Sequence, residues 1–145
     1  MKLFPEIALP EALFGFHHLG IAVANLGTAI PVYEKLLGYK LVSGPFDDPI
    51  QKVSVCFLQR SVSGDILIEL VAPGAEQSPI QRILAKGGGP YHTCYQVAEM
   101  EASLAHLTKN GCLVVSNPVP AVAFGNRRIA WLFTPTRHLL EVLER

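Results

Sequence analysis

Two histidines and two glutamates carry the chemistry for which this sequence can be read. His18 lies in the run Phe16-His17-His18-Leu19-Gly20-Ile21-Ala22-Val23 and Glu69 in Ile66-Leu67-Ile68-Glu69-Leu70-Val71. His92 lies in Pro90-Tyr91-His92-Thr93-Cys94-Tyr95-Gln96-Val97 and Glu141 in His138-Leu139-Leu140-Glu141-Val142-Leu143. Most of the surrounding residues are apolar, and an ionised carboxylate buried among them without a partner is strongly disfavoured. A cation close to the glutamates removes that penalty. Two imidazoles and two carboxylates form the donor set of a divalent metal, and mixed nitrogen and oxygen ligands suit Zn, Mn, Co, Ni or Fe better than Ca, which prefers oxygen alone. Any one of these residues, taken singly, reads as a satisfied core histidine or a solvent-facing strand carboxylate. It is their pairing that argues for a metal.

The pairing comes from an internal repeat. His18 and Val23 stand 74 residues before His92 and Val97, and Glu69 stands 72 before Glu141. Each histidine run reads as a short buried strand. The first is followed by a helical pattern, with Leu26, Ala29, Ile30, Tyr33, Leu36 and Leu37 on one face, Asn25 as N-cap and Gly38 as the stop. The second is followed by Met100, Leu104 and Leu107 at helical spacing and a stop at Gly111. Strands containing Leu41-Val42-Ser43 and Val114-Val115-Ser116 come next, and two further strand-like runs close each half: Val53–Leu58 and Ile66–Val71, then Arg128–Phe133 and His138–Leu143. Each half thus reads β-α-β-β-β. The expected organisation is a single domain over 1–145, with an extension over 1–15, module one over 16–73, a linking helix over 78–87 and module two over 90–145. Ser78 is the expected N-cap of the linking helix, Pro79 its first residue and Gly87-Gly88-Gly89 its end. Two such modules pack together because each sheet alone leaves an apolar face uncovered.

Composition excludes several functions. Twelve Lys plus Arg balance twelve Asp plus Glu, so no net basic field is available to hold nucleic acid or an anionic membrane surface. No apolar run is long enough to span a bilayer. Cys56, Cys94 and Cys112 match neither a zinc ribbon nor a CxxC motif, which points to reduced thiols in a cytoplasmic protein. The partner expected is a small molecule. Strand alternation sends His17 to the face opposite His18, and it sends Tyr91, Thr93 and Tyr95 away from His92. His17, His106 and His138 are read as structural, and Cys94 as sharing the face of His92.

At these residues the sequence resembles the vicinal oxygen chelate superfamily, which includes glyoxalase I, methylmalonyl-CoA epimerase, type I extradiol dioxygenases and bleomycin-resistance proteins. In motif pattern it is most similar to the methylmalonyl-CoA epimerase-like members, through HHLGIAV and YEKLLG, ILIELVAP and SPIQRILAKGGG, YHTCYQV, and NRRIAWLFTP. The resemblance runs over nearly the whole chain from Phe16. It implies an α+β fold in which paired βαβββ modules form a cupped, eight-stranded mixed sheet around a divalent metal held by His18, Glu69, His92 and Glu141. It further implies a homodimer and a carbonyl substrate, such as an acyl thioester.

What the resemblance implies for chemistry is a lyase or isomerase working through an enolate, with Glu141 as both ligand and catalytic base. Epimerase-like members usually place a second acid/base Glu between Pro and Gln, where this chain reads Asp48-Pro49-Ile50-Gln51. Ile50 cannot carry a proton. Gln51 is retained and is expected to bind a substrate oxygen, while Asp47 and Asp48 are candidates either for the missing base or for capping the turn before Pro49. Arg127 and Arg128 are candidate contacts for a phosphate or carboxylate on the substrate, Arg128 being the one taken as substrate-binding. The family's Gly-Gly loop is missing between Pro135 and Glu141. A drug-binding protein and an extradiol dioxygenase are the alternatives, the latter disfavoured by the extra carboxylate of Glu69.

Overall fold

The computed structural model describes residues 14–74 and 77–145. The chain runs β1 (Gly15–Ala22), α1 (Leu26–Leu37), β2 (Lys40–Asp48), β3 (Val53–Gln59) and β4 (Ile68–Pro73), and then α2 (Ile80–Ala85). The second half follows as β5 (Gly89–Val97), α3 (Met100–Lys109), β6 (Leu113–Pro120), a 3₁₀ turn (Val122–Phe124), β7 (Arg128–Phe133) and β8 (Leu139–Glu144). All eight strands form one mixed sheet in the order β2-β3-β4-β1-β5-β8-β7-β6. The two βαβββ halves meet at its centre, where β1 and β5 run antiparallel, and each of these strands takes its own half's last strand, β4 or β8, as a parallel neighbour on the other side. The two β-α-β-β-β halves expected from the repeat, and the cupped α+β sheet that the resemblance implies, are observed. Most of the expected extension, residues 1–13, lies outside the described residues.

Alternation along the strands builds two surfaces. Cys56, Leu58, Ile68 and Leu70 point outward beneath α1 with Ile21 and Leu26, and Ala130, Leu132 and Val142 point outward beneath α3 with Met100. Each aliphatic side chain so buried contributes roughly 1.5–3 kcal/mol. The inner surface carries Val53, Val55, Val71, Ile129 and the chemistry. Local signals bound α1 as its sequence predicts: Asn25 accepts from the Thr28 amide at 3.0 Å, and Gly38 closes the helix with φ of +75°.

Two local expectations are corrected. The linking helix is shorter than 78–87 because Pro79 itself occupies the N-cap, while the Ser78 hydroxyl makes no capping bond and is buried without a partner among the described residues. In α1, Leu36 and Leu37 do not join the buried face; Leu36 is 75% exposed, since the helix rolls Leu26, Ala29, Ile30 and Tyr33 onto the sheet and leaves its last turn beyond the core.

Candidate metal centre

Strand register brings the four polar residues together. On β4, β1 and β5, Glu69 lies opposite Gly20 and Gly20 opposite His92. On β1, β5 and β8, His18 lies opposite Cys94 and Cys94 opposite Glu141. Two parallel rows cross the middle of the sheet, and each contains a histidine and a glutamate separated by a small residue. Side chains flanking a small residue can lean over it and converge. Gly20 is required in the first row: a Cβ at this position would overlap the His92 ring.

All four side chains are buried, and their ligand atoms lie within 4.8 Å of one another. His18 Nε2 is 3.4 Å from Glu69 Oε1 and 3.1 Å from Glu141 Oε1, and His92 Nε2 is 3.5 and 3.4 Å from the same atoms. The two Nε2 atoms are 3.2 Å apart. Ligands about 2.0–2.1 Å from a tetrahedral ion stand roughly 3.3–3.4 Å from one another, so the observed separations are those of a ligand shell. Glu141 Oε1 has two nitrogens within 3.4 Å yet completes no hydrogen bond. The donor atoms share a focus rather than pairing off, and the residues fit a divalent cation.

Electrostatics agree with this geometry. Burial disfavours a charged His18, but the Glu69 and Glu141 carboxylates outweigh it and raise the pKa to about 10. Burial likewise opposes the Glu141 anion, and the His18 and His92 imidazoles overcome it and hold the carboxyl well below its ordinary range. A proton on His18 thus occupies the place that a cation would take.

Bulges in both central strands overturn the expectation for two residues. Pairing of β1 with β5 slips at His17 and again at Tyr91, so neither alternates to the far face. His17 Nδ1 lies 2.8 Å from His18 Nδ1 and is half-buried beside Phe57 and Phe124. Burial, then the neighbouring His18, lowers its pKa to about 4. A neutral His17 accepts from His18 Nδ1–H, which leaves Nε2 facing the carboxylates. Tyr91 packs edge-on to His92 with ring centroids 4.4 Å apart and lines the cavity described next.

That cavity, about 290 Å³, opens between the inner surface, α2 and the 3₁₀ turn, with Glu69 and Glu141 in its wall. Gln51 also lines it, and its Oε1 accepts from Trp131 Nε1 at 3.2 Å, which turns its amide N–H groups toward other acceptors. Asp48 reaches the wall, but its Oδ1 takes the Ile50 and Gln51 amides at 3.0 Å and its Oδ2 the Val122 amide at 3.4 Å, so it caps the turn. Asp47 faces out and binds Ser54 Oγ. Ile50 is exposed and stands outside the cavity wall. Arg128 also stands outside it, bridging Glu144 and Glu101 at 2.7 and 2.8 Å, while Arg127 donates to the Phe124 carbonyl and lies over that ring. Cys94 is fully buried in the middle of the second row, and burial, then the Glu141 charge, pushes its thiol far up. His106 packs near Phe14, and His138 meets Thr93 Oγ1 at 2.8 Å.

The family model for the glyoxalase/bleomycin resistance protein/dioxygenase superfamily matches residues 17–131. The chain belongs to this superfamily. Among its members, an ethylmalonyl-CoA/methylmalonyl-CoA epimerase of Cereibacter sphaeroides is 32% identical over 118 residues, covering 80% of this chain and 85% of that protein. The crystal structure of methylmalonyl-CoA epimerase from Mycobacterium tuberculosis superposes with a TM-score of 0.77 at 31% identity, covering 94% of this chain and 91% of that one. A hypothetical protein from Bacillus halodurans superposes at 0.78 with 30% identity, covering 91% and 94%. In this superfamily setting, sequence reasoning missed Gly20, His17, Tyr91 and Trp131. Gly20 and Cys94, like His17 and Tyr91, stand 74 apart, and that spacing is the signal by which each pair was open to discovery.

Proposed function

We propose that the protein is a metal-dependent isomerase or lyase that enolises a small carbonyl or thioester substrate, with His18, Glu69, His92 and Glu141 holding the ion. The observation that carries this reading is the focus of four buried donors, two of which, Glu69 and Glu141, stand in the wall of an apolar cavity. When bound, a divalent ion supplies Lewis-acid stabilisation of the carbonyl oxygen as enolate charge develops. Glu141, ionised and aimed at the same focus, takes the proton from the neighbouring carbon. The Gln51 amide and the Tyr91 hydroxyl donate to substrate oxygens. The apolar walls exclude water and strengthen these interactions. The relatives named as epimerases support an acyl thioester as the substrate type.

An epimerase needs an acid/base group on each face of the planar intermediate, and position 50 supplies none. One-base chemistry is therefore the reading: proton removal and return on a single face. The test loads the protein with Zn, Mn, Co, Ni or Fe in turn and follows deuterium uptake from heavy water at the α-carbon of a panel of acyl thioesters. Exchange is expected at one equivalent of metal, and Glu141→Gln is expected to slow it by about 10²–10⁴-fold. Metal binding without any exchange would overturn the enzymatic reading.

A cytoplasmic homodimer belongs to the same proposal. Leu41 and Val42 on β2 and Leu113 and Val115 on β6 expose apolar side chains on the two edge strands. The three cysteines are free, and no helix among the described residues is long and apolar enough to cross a membrane. Light scattering that gives twice the chain mass would agree, and a monomer would not.

A further inference from the structure

The charge balance of the cavity says what kind of acyl group it accepts. Among the described residues lining it there is no Lys, Arg or His. Its carboxylates are Glu69, Glu141 and Asp48. Two of these match a divalent ion; the third, Asp48, is fixed in the wall by three backbone N–H groups and has no side-chain cation. The two arginines nearest in sequence to the cavity-lining 3₁₀ turn and β7 do not line it: Arg128 is taken up by Glu101 and Glu144, and Arg127 by the Phe124 carbonyl.

The remaining polar groups are neutral. Gln51 is oriented by Trp131 so that its amide N–H groups are free to donate, and the Tyr91 hydroxyl adds another neutral donor, while that of Ser116 is turned to the Asn117 carbonyl. Neutral donors suit a carbonyl or hydroxyl oxygen. A free carboxylate on the acyl group, as in a malonyl-type thioester, would enter a low-dielectric space that already holds the Asp48 carboxylate, whose partners are backbone N–H groups, and burying it there is costly. The walls of Val53, Val55, Val71, Ile80, Ile129 and Phe133 instead accept alkyl substituents.

Resting on the enolisation reading, we infer that the substrate's acyl portion is uncharged and branched-alkyl in character, without the free carboxylate of a malonyl-type group. A matched pair tests this. Isobutyryl-pantetheine and methylmalonyl-pantetheine differ only in a methyl against a carboxylate. Their dissociation constants are measured on the metal-loaded protein by calorimetry, with quenching of Trp131, the sole tryptophan of the chain, as a second readout.

The isobutyryl thioester is expected to bind at least ten-fold more tightly, and Asp48→Asn, which keeps the turn-capping oxygen, to narrow the gap at least three-fold by improving the methylmalonyl side. Equal or tighter binding of the methylmalonyl compound overturns the inference, as does failure of both to bind. Preferential binding of the isobutyryl compound with no deuterium exchange in any thioester retains the ligand class and overturns the enolisation reading. The two failures are thus separate.

Discussion

The two halves of the molecule hold their histidines by different means. In the first, His18 is fixed by a hydrogen bond: its Nδ1 meets His17 Nδ1 at 2.8 Å, leaving Nε2 for the focus. In the second, the equivalent neighbour is Tyr91, which offers an edge-on ring contact in place of a bond, and His92 Nδ1 has no partner among the described residues. His92 is instead held by packing, wedged between Tyr91 and Trp131 at 4.4 and 4.8 Å and seated over Gly20. One duplicated strand supplies an electronic constraint and the other a steric one. The supports have diverged while both imidazoles still reach one point, their Nε2 atoms 3.2 Å apart.

The comparison breaks most sharply at the residues between the ligands. Gly20 and Cys94 occupy equivalent places in the two rows, yet only Gly20 lies against an imidazole that any Cβ would strike. Gly20→Ala is expected to expel His92 and weaken metal binding by more than about 100-fold, on the scale of losing a ligand's support. Cys94→Ala removes one buried sulfur, costs about 1 kcal/mol of stability and leaves metal content at one equivalent. Elemental analysis and thermal melts of both variants decide the matter, and equal metal content in the two would show that the halves are held alike.

A smaller effect separates the two neighbours. His17→Ala deletes the acceptor that fixes the orientation of His18, and metal affinity is expected to fall about 10–100-fold. Tyr91→Phe keeps the ring against His92 and removes only the hydroxyl of a cavity-lining residue, so metal affinity should hold while deuterium exchange slows. Competition with a chelating dye measures the first and exchange kinetics the second. If Tyr91→Phe loses metal as readily as His17→Ala, the distinction between electronic and steric support is wrong.

The repeat made the fold legible because alternation and helical spacing are local signals, and they recur here at one offset. The convergence of His18, Glu69, His92 and Glu141 was legible for the same reason: a pseudo-twofold axis maps equivalent residues onto one another. Alternation alone failed at two positions, His17 and Tyr91. A bulge inserts one residue in the pairing of two strands distant in sequence, and nothing in either strand's own composition marks it. Arg128 was singled out by charge and position, but the carboxylates that hold it, Glu101 on α3 and Glu144 on β8, become its neighbours only after folding. The roles of Gln51 and Asp48 diverged for a related reason, since Trp131 and Val122, which fix them, belong to the other half.

The mildest test exploits protons. In the metal-free protein His18 has a pKa of about 10, above its ordinary value near 6.5, because the two glutamates favour its charged form. Its contribution to stability is therefore complete below about pH 6.5 and is lost as pH rises toward 10. Glu141 moves the other way: its lowered pKa gives stability that is present above its ordinary value near 4.5 and is lost as pH falls. The metal-free protein should be most stable between these limits and lose its His18 contribution gradually on the alkaline side. A divalent ion displaces the His18 proton, so metal uptake at pH 8 should release one proton per ion and apparent affinity should rise about tenfold per pH unit until about pH 10. Calorimetry in buffers of different ionisation enthalpy counts that proton. Uptake without proton release would mean that the ion does not bind where the His18 proton sits, and the contrast between a hydrogen-bonded His18 and a packed His92 would then have no bearing on the metal.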